Sequence, residues 1–396
     1  MAVGLWRDCG GQVAKNHRWG ALAAAFLWVI LAVAGSISKV AGAAADLDDT
    51  ARLISGAHVG APRAGGATEG PWRSYAQEVS NYWREYDRRI GRPLRQWACK
   101  ELDRSEGVTV FYPFSGPDLP WAYQLFPEAD RYVLVAMEKA EAPPLMENFS
   151  REEQEGYMAA FRTAWKFYGA LGFFKTNDLI ADTKARGMHL GVTGPLMAFA
   201  ARLGFEIESI EPIGLDLNTG DLMLRDAALP KDDTWDSVRL TLRKGGRKVR
   251  VDYVRMDLSD ASLGKVPGAR RWIERMASNL TVLKAASHHP QEPAFSMFSN
   301  SVVANAPIVV QDETGIDYAS LTPGYTVRLY GKFTKPNNAF DQGLQRPLAA
   351  AYGTGAGVKP LAFRLGYEKD SGSSLQVATR NTSGNAGDPA RNCGPS

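Results

Sequence analysis

The chain has 396 residues, 45% of them hydrophobic, which is enough to bury one large core or two smaller ones. Its 46 Lys and Arg residues and 43 Asp and Glu residues are interspersed and leave a formal net charge of only +3. Because no basic stripe is present, the composition argues against a nucleic-acid partner. The three cysteines and five histidines have no metal-type spacing, so the sequence predicts no metal site.

The first 45 residues have the features of an export signal. A positively charged head precedes an apolar run, residues 21–34, and a cluster of small residues, 41–45. This order predicts a signal peptide over residues 1–45 and a periplasmic or secreted location. The alternative is an uncleaved membrane anchor, because residues 19–38 together are long enough to span a bilayer. In either case the membrane is a partner only through this N-terminal segment.

Composition divides the remainder of the chain into three parts. Residues 46–72 are predicted to form a flexible linker, because Ala51 to Trp72 are rich in Gly, Ala and Pro without periodicity. Residues 73–380 are predicted to form the α/β domain, and residues 381–396 a disordered tail. An oxidising compartment would permit a disulfide between Cys99 and Cys393, although the sequence equally allows both to stay unpaired.

The domain begins with helical periodicity over residues 74–102, which is interrupted at Pro93 and predicts a helical lead-in. Predicted strands at residues 108–112 and 132–137 follow, with a short helix at 119–126 between them. Strand, loop, helix and strand in this order are typical of an open parallel sheet.

Two helices and a hairpin come next. The capping box Ser150–Glu153 predicts the start of a long helix, and residues 193–203 predict another one. Two alternating segments flank Gly245 and Gly246, which predicts a β-hairpin insertion.

The C-terminal part repeats the strand–helix–strand order, with predicted strands at residues 280–283 and 308–311. Three alternating segments, residues 325–330, 361–367 and 375–378, are predicted to be antiparallel strands at the edge of the sheet. The whole order predicts an α/β fold: a single Rossmann-like three-layer domain with antiparallel C-terminal strands and a hairpin insertion, after a helical lead-in. Two packed α+β lobes are the alternative.

Ligands of open α/β sheets bind beyond the carboxyl ends of the parallel strands, which draws attention to the first two strands. Ser115, Gly116 and Asp118 follow the first strand, where Ser115 is a candidate nucleophile and the other two are candidate cofactor ligands. The loop lacks G-x-G-x-x-G spacing, and a structural turn that caps the next helix is the competing interpretation. Glu138 follows the second strand and is a candidate ligand for ribose hydroxyls, or else a solvated surface residue.

Two later loops supply the other candidate catalytic residues. His288 follows the strand at 280–283 and could act as a general base, although a helix cap with exposed histidines explains the segment equally well. Asp312 follows the strand at 308–311 and could orient His288 or hold a substrate hydroxyl, with an ordinary acidic turn as the alternative. Ser115, His288 and Asp312 together supply the residue types of a catalytic triad.

At these loops the chain resembles a family of exported bacterial proteins without an established activity. The resemblance rests on a YPFSGPD-like loop at residues 112–118 and a QD[DE][ST]GI-like loop at residues 311–316. Further similar segments occur between Val108 and Ala378. The resemblance implies a common fold and supports these loops as the site, but it implies no reaction.

The sequence therefore predicts an exported envelope protein that is either an enzyme with its site at the strand carboxyl ends or a non-catalytic binder of a ligand or partner. A small molecule or a glycan fits the many aromatic residues near the first loop. No cofactor is identified. The loop after the first strand, Glu138 and the closing antiparallel strands favour a methyltransferase-like topology, whereas export argues against a cytoplasmic cofactor.

Overall fold

The computed structural model describes residues 46–57, 69–102, 107–172, 191–226, 235–336, 344–367 and 373–381. The predicted signal or anchor, Cys393 and the predicted tail from residue 382 onward lie outside these ranges. Among the described residues, no helix combines the length and the apolar character needed to cross a membrane. Cys99 is disulfide-bonded. Because Cys9 and Cys393 both lie outside the described residues, its pairing with Cys393 stays a prediction.

The helices of the described ranges, in chain order, are α1 (residues 46–55), α2 (Glu69–Tyr86), α3 (Arg92–Glu101), α4 (Leu119–Leu125), α5 (Arg151–Leu171), α6 (Thr193–Arg202), α7 (Asp260–Leu263), α8 (Pro267–Ala277), α9 (Ser296–Asn305), α10 (Tyr318–Leu321) and α11 (Arg346–Gly353). The strands are β1 (Thr109–Pro113), β2 (Arg131–Ala136), β3 (Glu206–Leu215), β4 (Leu222–Leu224), β5 (Ser237–Lys244), β6 (Arg247–Arg255), β7 (Leu280–Leu283), β8 (Ile308–Gln311), β9 (Tyr325–Gly331) and β10 (Ser374–Arg380).

All of these strands join one sheet in the order β4-β3-β5-β6-β2-β1-β7-β8-β10-β9. The central strands β6, β2, β1, β7 and β8 are parallel. At one side β10 runs antiparallel between β8 and β9. At the other side β5, β3 and β4 extend the sheet by antiparallel pairing. This architecture confirms the predicted Rossmann-like α/β fold after a helical lead-in.

Alternation along the central strands places helices on both faces of the sheet. In β1, Val110 and Tyr112 pack in one core cluster with side chains of α2 to α6, whereas Phe111 packs in a second cluster with α8 and α9. Successive strand residues point to opposite faces, so a strand buried on both sides must be apolar throughout. β1 and β7 are largely apolar, and the one polar residue of β7, Thr281, donates its hydroxyl to the Asn279 carbonyl at 3.2 Å.

The hairpin is confirmed, but it is not an appendage to the sheet. Gly245 and Gly246 have positive φ angles of +55° and +82°, which permits the tight turn between β5 and β6. The second strand of the hairpin, β6, pairs in parallel with β2. It therefore belongs to the central sheet, and only β5 and the strands beyond it form the insertion.

Part of the predicted linker is ordered helix. Residues 46–55 form α1, in which Ala51 and Ile54 are buried in the first core cluster. Leu47, Ala51 and Ile54 recur at helical spacing, so they share one face that packs on the core. Residues 46–55 themselves contain no glycine and one alanine, and the linker prediction extended over them the Gly-, Ala- and Pro-rich composition of the segment that follows.

Two other predictions need correction. The sequence predicts a break at Pro93, but the helical run continues through one π-helical turn, Asp87–Gly91, and Pro93 lies in the first turn of α3, where a proline is tolerated. Residues 361–367 are predicted to be a strand and are irregular instead. Phe363 and Leu365 are both buried in the core, and this alternation produced the strand-like pattern.

Candidate functional site

A cleft of about 580 Å³ opens at the carboxyl ends of β1, β2, β6 and β7. The strand order reverses at β1, because the chain first builds outward to β2 and later returns to place β7 on the other side. Open α/β sheets bind their ligands in the crevice that such a reversal creates. The size of the cleft falls within the usual range of small-molecule sites.

The loop after β1 forms one wall of this cleft. Phe114 and Gly116 have φ angles of +59° and +55°, so the backbone turns sharply between the strand and α4. Asp118 occupies the residue before α4, but its carboxylate makes no capping hydrogen bond. Instead it accepts hydrogen bonds from the Tyr112 hydroxyl at 3.1 Å and the Tyr168 hydroxyl at 3.4 Å.

A buried ion pair forms the floor of the cleft. Lys284 Nζ lies 2.5 Å from Asp118 Oδ2, and the two side chains are only 3% and 5% exposed. The ammonium group also donates to the Gly172 carbonyl at 3.0 Å and lies 4.3 Å from the centre of the Trp121 ring. Charges buried in this way require a partner and hydrogen bonds, and both ions have them.

Burial shifts both members of this pair toward their neutral forms. It raises the pKa of Asp118 and lowers the pKa of Lys284, and the charge of each partner opposes the shift in the other. Burial, together with the negative charge of Asp118, also holds the pKa of the Tyr112 hydroxyl well above its usual range. Burial thus shifts the pKa values of the acid and the base toward each other.

The loop after β7 is strained. Ala285, Ser287 and His288 adopt positive φ angles of +54°, +53° and +63°, a region that costs a residue other than glycine about 1 to 3 kcal/mol. The hydroxyl of Tyr367 holds this turn through a hydrogen bond to the Ala285 carbonyl at 2.9 Å and a contact of 2.7 Å with the Ser287 hydroxyl. Such strain persists only where surrounding contacts fix it, and it is concentrated at functional sites.

Asp312 supplies further contacts that hold the strained loop. Its carboxylate is completely buried and accepts hydrogen bonds from the Ala285 N–H at 2.8 Å, the Thr314 N–H at 2.9 Å and the Thr314 hydroxyl at 2.5 Å. The Thr314 oxygen in turn accepts from the Ala286 N–H at 2.7 Å. Burial nevertheless raises the pKa of Asp312, against the effect of these hydrogen bonds. The loop after β8 therefore positions the loop after β7.

The structure brings together four of the six predicted site residues. Ser115, Gly116, Asp118 and Glu138 all line the cleft. The Glu138 backbone carbonyl accepts a hydrogen bond from Tyr253 at 2.7 Å, while no described residue donates a hydrogen bond to its carboxylate. That carboxylate is thus available to a ligand.

The other two predicted residues, His288 and Asp312, are buried and are not among the residues that line the cleft. His288 is 1% exposed, and its Nδ1 lies 3.2 Å from Gln291 Oε1. The carboxylate of Asp312 accepts its hydrogen bonds from the Ala285 N–H and from Thr314. It is the neighbouring His289 that lines the cleft. The catalytic roles of Ser115, His288 and Asp312 remain predictions.

Sequence reasoning missed Lys284, although its signal was present. Lys284 is the first residue after the buried strand β7, much as Glu138 comes two residues after the end of β2. Asp257, which also lines the cleft, follows β6 in the same way. Tyr168 lies on α5 and carried no such signal, because a helix reaches the site only through tertiary packing.

The fold and the cleft define this chain as a Rossmann-like α/β protein with a crevice at the reversal of its strand order. No protein-family model, no curated protein and no solved structure matches the chain. Within the described ranges, no group of three or more His, Cys, Asp or Glu side chains is placed to hold a metal ion.

Proposed function

We propose that this protein is exported and that its cleft binds a small molecule carrying a hydroxyl-bearing sugar ring, most simply a nucleoside. The observation that carries the proposal is the available carboxylate of Glu138 at the end of β2, beside the reversal of the strand order. In dinucleotide-binding folds an acidic residue near this position accepts hydrogen bonds from the ribose hydroxyls. Export is inferred from residues 1–45 alone.

The remaining lining of the cleft supports the same class of ligand. Met137 is 58% exposed next to Glu138, and Phe114 and Phe295 present aromatic rings about 5.9 Å apart. A flat heterocycle gains from burial against such surfaces. The carboxylate of Asp257 on the same rim can accept further hydrogen bonds from an amino or hydroxyl group.

The strand order β6-β2-β1-β7-β8-β10-β9, with β10 reversed, is methyltransferase-like and supports a nucleoside. The loop after β1 has no G-x-G-x-x-G pattern, so it provides no cradle for a pyrophosphate. A nucleoside therefore fits better than a dinucleotide. An exported protein would also meet cytoplasmic cofactors rarely, which favours another nucleoside or a glycoside over S-adenosylmethionine.

Catalysis is a second candidate, and the buried Asp118–Lys284 pair favours it. A buried ion pair is often no more stabilising than apolar residues of the same volume, so the stability of the fold does not explain its presence. Its converging pKa values suit transfer of a proton to or from a bound ligand. Ligand recovered from the native protein would then include product, whereas the double variant Asp118→Asn/Lys284→Met would retain only substrate.

Calorimetric titration of the purified protein with adenosine tests the proposal. We expect Glu138→Gln to weaken binding about 10- to 100-fold, because hydrogen bonds to a charged acceptor contribute about 1.5 to 3 kcal/mol. Binding of 2′,3′-dideoxyadenosine should be equally weak in both proteins, since it lacks the hydroxyls. Glu147→Gln, at an exposed position, is the matched control and should change nothing.

Equal affinities of the wild type and Glu138→Gln for adenosine would overturn the assignment of this carboxylate. If a methyl glycoside binds and no nucleoside does, the heterocycle is excluded and a glycan ligand replaces it. If neither binds, the proposal fails.

A further inference from the structure

A second pocket, of about 540 Å³, lies near the amino ends of the central strands, on the edge of the sheet opposite to the cleft. Its lining is strongly cationic and consists of Thr109, Asp130, Arg131, Arg239, Thr241, Lys248 and Arg250. The proposed function does not involve this pocket.

Three arginines converge on one carboxylate beside this pocket. Asp252 is completely buried and accepts hydrogen bonds from Arg131 Nε at 2.8 Å and Arg239 Nε at 2.6 Å. Arg250 Nε lies farther away, at 3.5 Å. We call Arg131, Arg239, Arg250 and Asp252 the arginine cluster.

Strand pairing explains why these side chains meet. Asp252 of β6 pairs with Arg239 of β5, and Arg250 of β6 pairs with Arg131 of β2. Asp252 and Arg250 are two residues apart in one strand and therefore point to the same face of the sheet. The register of β6 with its two neighbouring strands thus assembles the arginine cluster.

The arginine cluster carries an uncompensated positive charge. Three guanidinium groups face one carboxylate, which leaves an excess of two positive charges. The other charged residues of the pocket lining already have partners, because Lys248 pairs with Glu208 at 3.3 Å and Asp130 with Arg247 at 3.1 Å. The excess therefore stays within the arginine cluster.

Stability of the fold does not account for this excess. One or two arginines satisfy a carboxylate, and a third repels the others, since like charges destabilise each other at short range. In agreement, burial and the neighbouring Arg131 and Arg239 lower the pKa of Arg250, against the attraction of Asp252. The side chains of Arg131, Arg239 and Arg250 remain 19%, 17% and 44% exposed, so their outer N–H groups can reach a ligand.

We propose that the arginine cluster binds a phosphate-type oxyanion, either a soluble phosphate or the headgroup of an anionic phospholipid. Planar guanidinium groups match the oxygens of phosphate in a bidentate manner. The hydroxyls of Thr109 and Thr241 line the same pocket and can donate to further oxygens. A bound dianion neutralises the two excess charges.

Titration with inorganic phosphate at constant ionic strength tests the site. We expect Arg250→Gln to weaken phosphate binding roughly tenfold through the loss of a charged hydrogen bond. Arg250 is the suitable position because it is the most exposed of the three arginines and the farthest from Asp252, so the fold should survive. Arg270→Gln removes an exposed arginine of α8 and should leave phosphate affinity unchanged.

Sedimentation with phosphatidylglycerol vesicles, compared with phosphatidylcholine vesicles, separates the two sources of phosphate. Binding of the wild type, but not of Arg250→Gln, to the anionic vesicles identifies a lipid headgroup. Phosphate binding without vesicle binding identifies a soluble ligand. If wild type and Arg250→Gln have the same affinity for phosphate and for vesicles, or if the wild type binds neither, the proposal is overturned. Thr241→Val, which removes a hydroxyl of the pocket lining without touching the arginines, offers a second variant should Arg250→Gln fail to fold, and it should also weaken phosphate binding.

Discussion

At the carboxyl ends of the central strands Lys284 and Asp118 neutralise each other, whereas at the amino ends Asp252 faces three arginines. Lys284 and Asp118 are almost entirely enclosed. The arginines reach water, although the carboxylate between them does not. Asp118 has one cationic partner and Asp252 has three, and we attribute this difference to the different access of the two sites to solvent. A closed site must balance its charges internally, while an open site can keep an excess and offer it to a ligand.

Removing one charge from the closed site should have the largest effect on stability. Asp118→Asn leaves the Lys284 ammonium buried without a counter-ion and should lower the free energy of unfolding by about 3 to 5 kcal/mol. Urea denaturation followed by circular dichroism measures the loss. The double variant Asp118→Asn/Lys284→Met should recover at least half of it, because no charge then remains. If the double variant loses as much stability as Asp118→Asn and Lys284→Met lose separately when added together, the two residues do not act as a pair.

Replacing the carboxylate of the arginine cluster by an amide should reduce stability less than the same change at Asp118. Asp252→Asn exposes the mutual repulsion of three arginines, but these can turn toward water, so we expect a loss of about 2 kcal/mol. Phosphate should restore more of this stability than chloride does at the same ionic strength, since it replaces the missing negative charge. A loss of stability as large as that of Asp118→Asn would show that the three arginine side chains cannot reach water.

The smallest effect on stability is expected at Glu101, whose ion pairs lie at neither end of the central strands. Glu101, at the end of α3, accepts hydrogen bonds from Lys359 at 2.9 Å and Tyr330 at 2.7 Å. Burial acts to raise the pKa of Glu101, but these hydrogen bonds and the charges of Lys359 and Arg328 outweigh it, and the pKa is lowered. Glu101→Gln should therefore reduce stability by about 1 kcal/mol at pH 7.

The pH dependence of Glu101→Gln distinguishes this charge effect from a packing effect. A lowered pKa in the folded state gives a contribution that is complete above the ordinary glutamate pKa of about 4.3 and is lost as the pH falls through the lowered value. The difference in unfolding free energy between wild type and variant should therefore shrink in acid. Glu147→Gln, measured in parallel, should show no such trend. If the difference in unfolding free energy stays constant with pH, the effect of Glu101→Gln is due to packing and not to charge.

Much of the fold could be predicted from local sequence patterns. The apolar runs of β7 and β8, the capping box at Ser150 and the glycine turn at residues 245–246 each signal an element, and the structure has an element at each. The errors occur where composition or alternation suggested another state. One example is α1, which was assigned to the linker because a Gly- and Ala-rich segment follows it. The other is residues 361–367, where the alternation of two buried side chains resembled a strand.

The candidate site was predictable only in part. The rule that ligands bind beyond the strand carboxyl ends directed attention to Ser115, Asp118 and Glu138, and the structure places all three in the lining of the cleft. It did not reveal that Asp118 meets Lys284, which is 166 residues away in the sequence. Nor did it reveal that Asp312 fixes the backbone of the loop after β7. Pairings of this kind depend on which strands become neighbours, and no local pattern encodes them.

The sequence by itself determined most of the elements around the central sheet, because helical and strand periods, caps and turn residues act over a few positions. It also determined the α/β class through the alternation of strands and helices. Only the tertiary structure decided that β6 joins β2, and with it that Arg131, Arg239 and Arg250 meet at Asp252. The physical reason is that each local element is compatible with several neighbours, whereas burial of both faces of the sheet and satisfaction of its enclosed charges are achieved together in one arrangement.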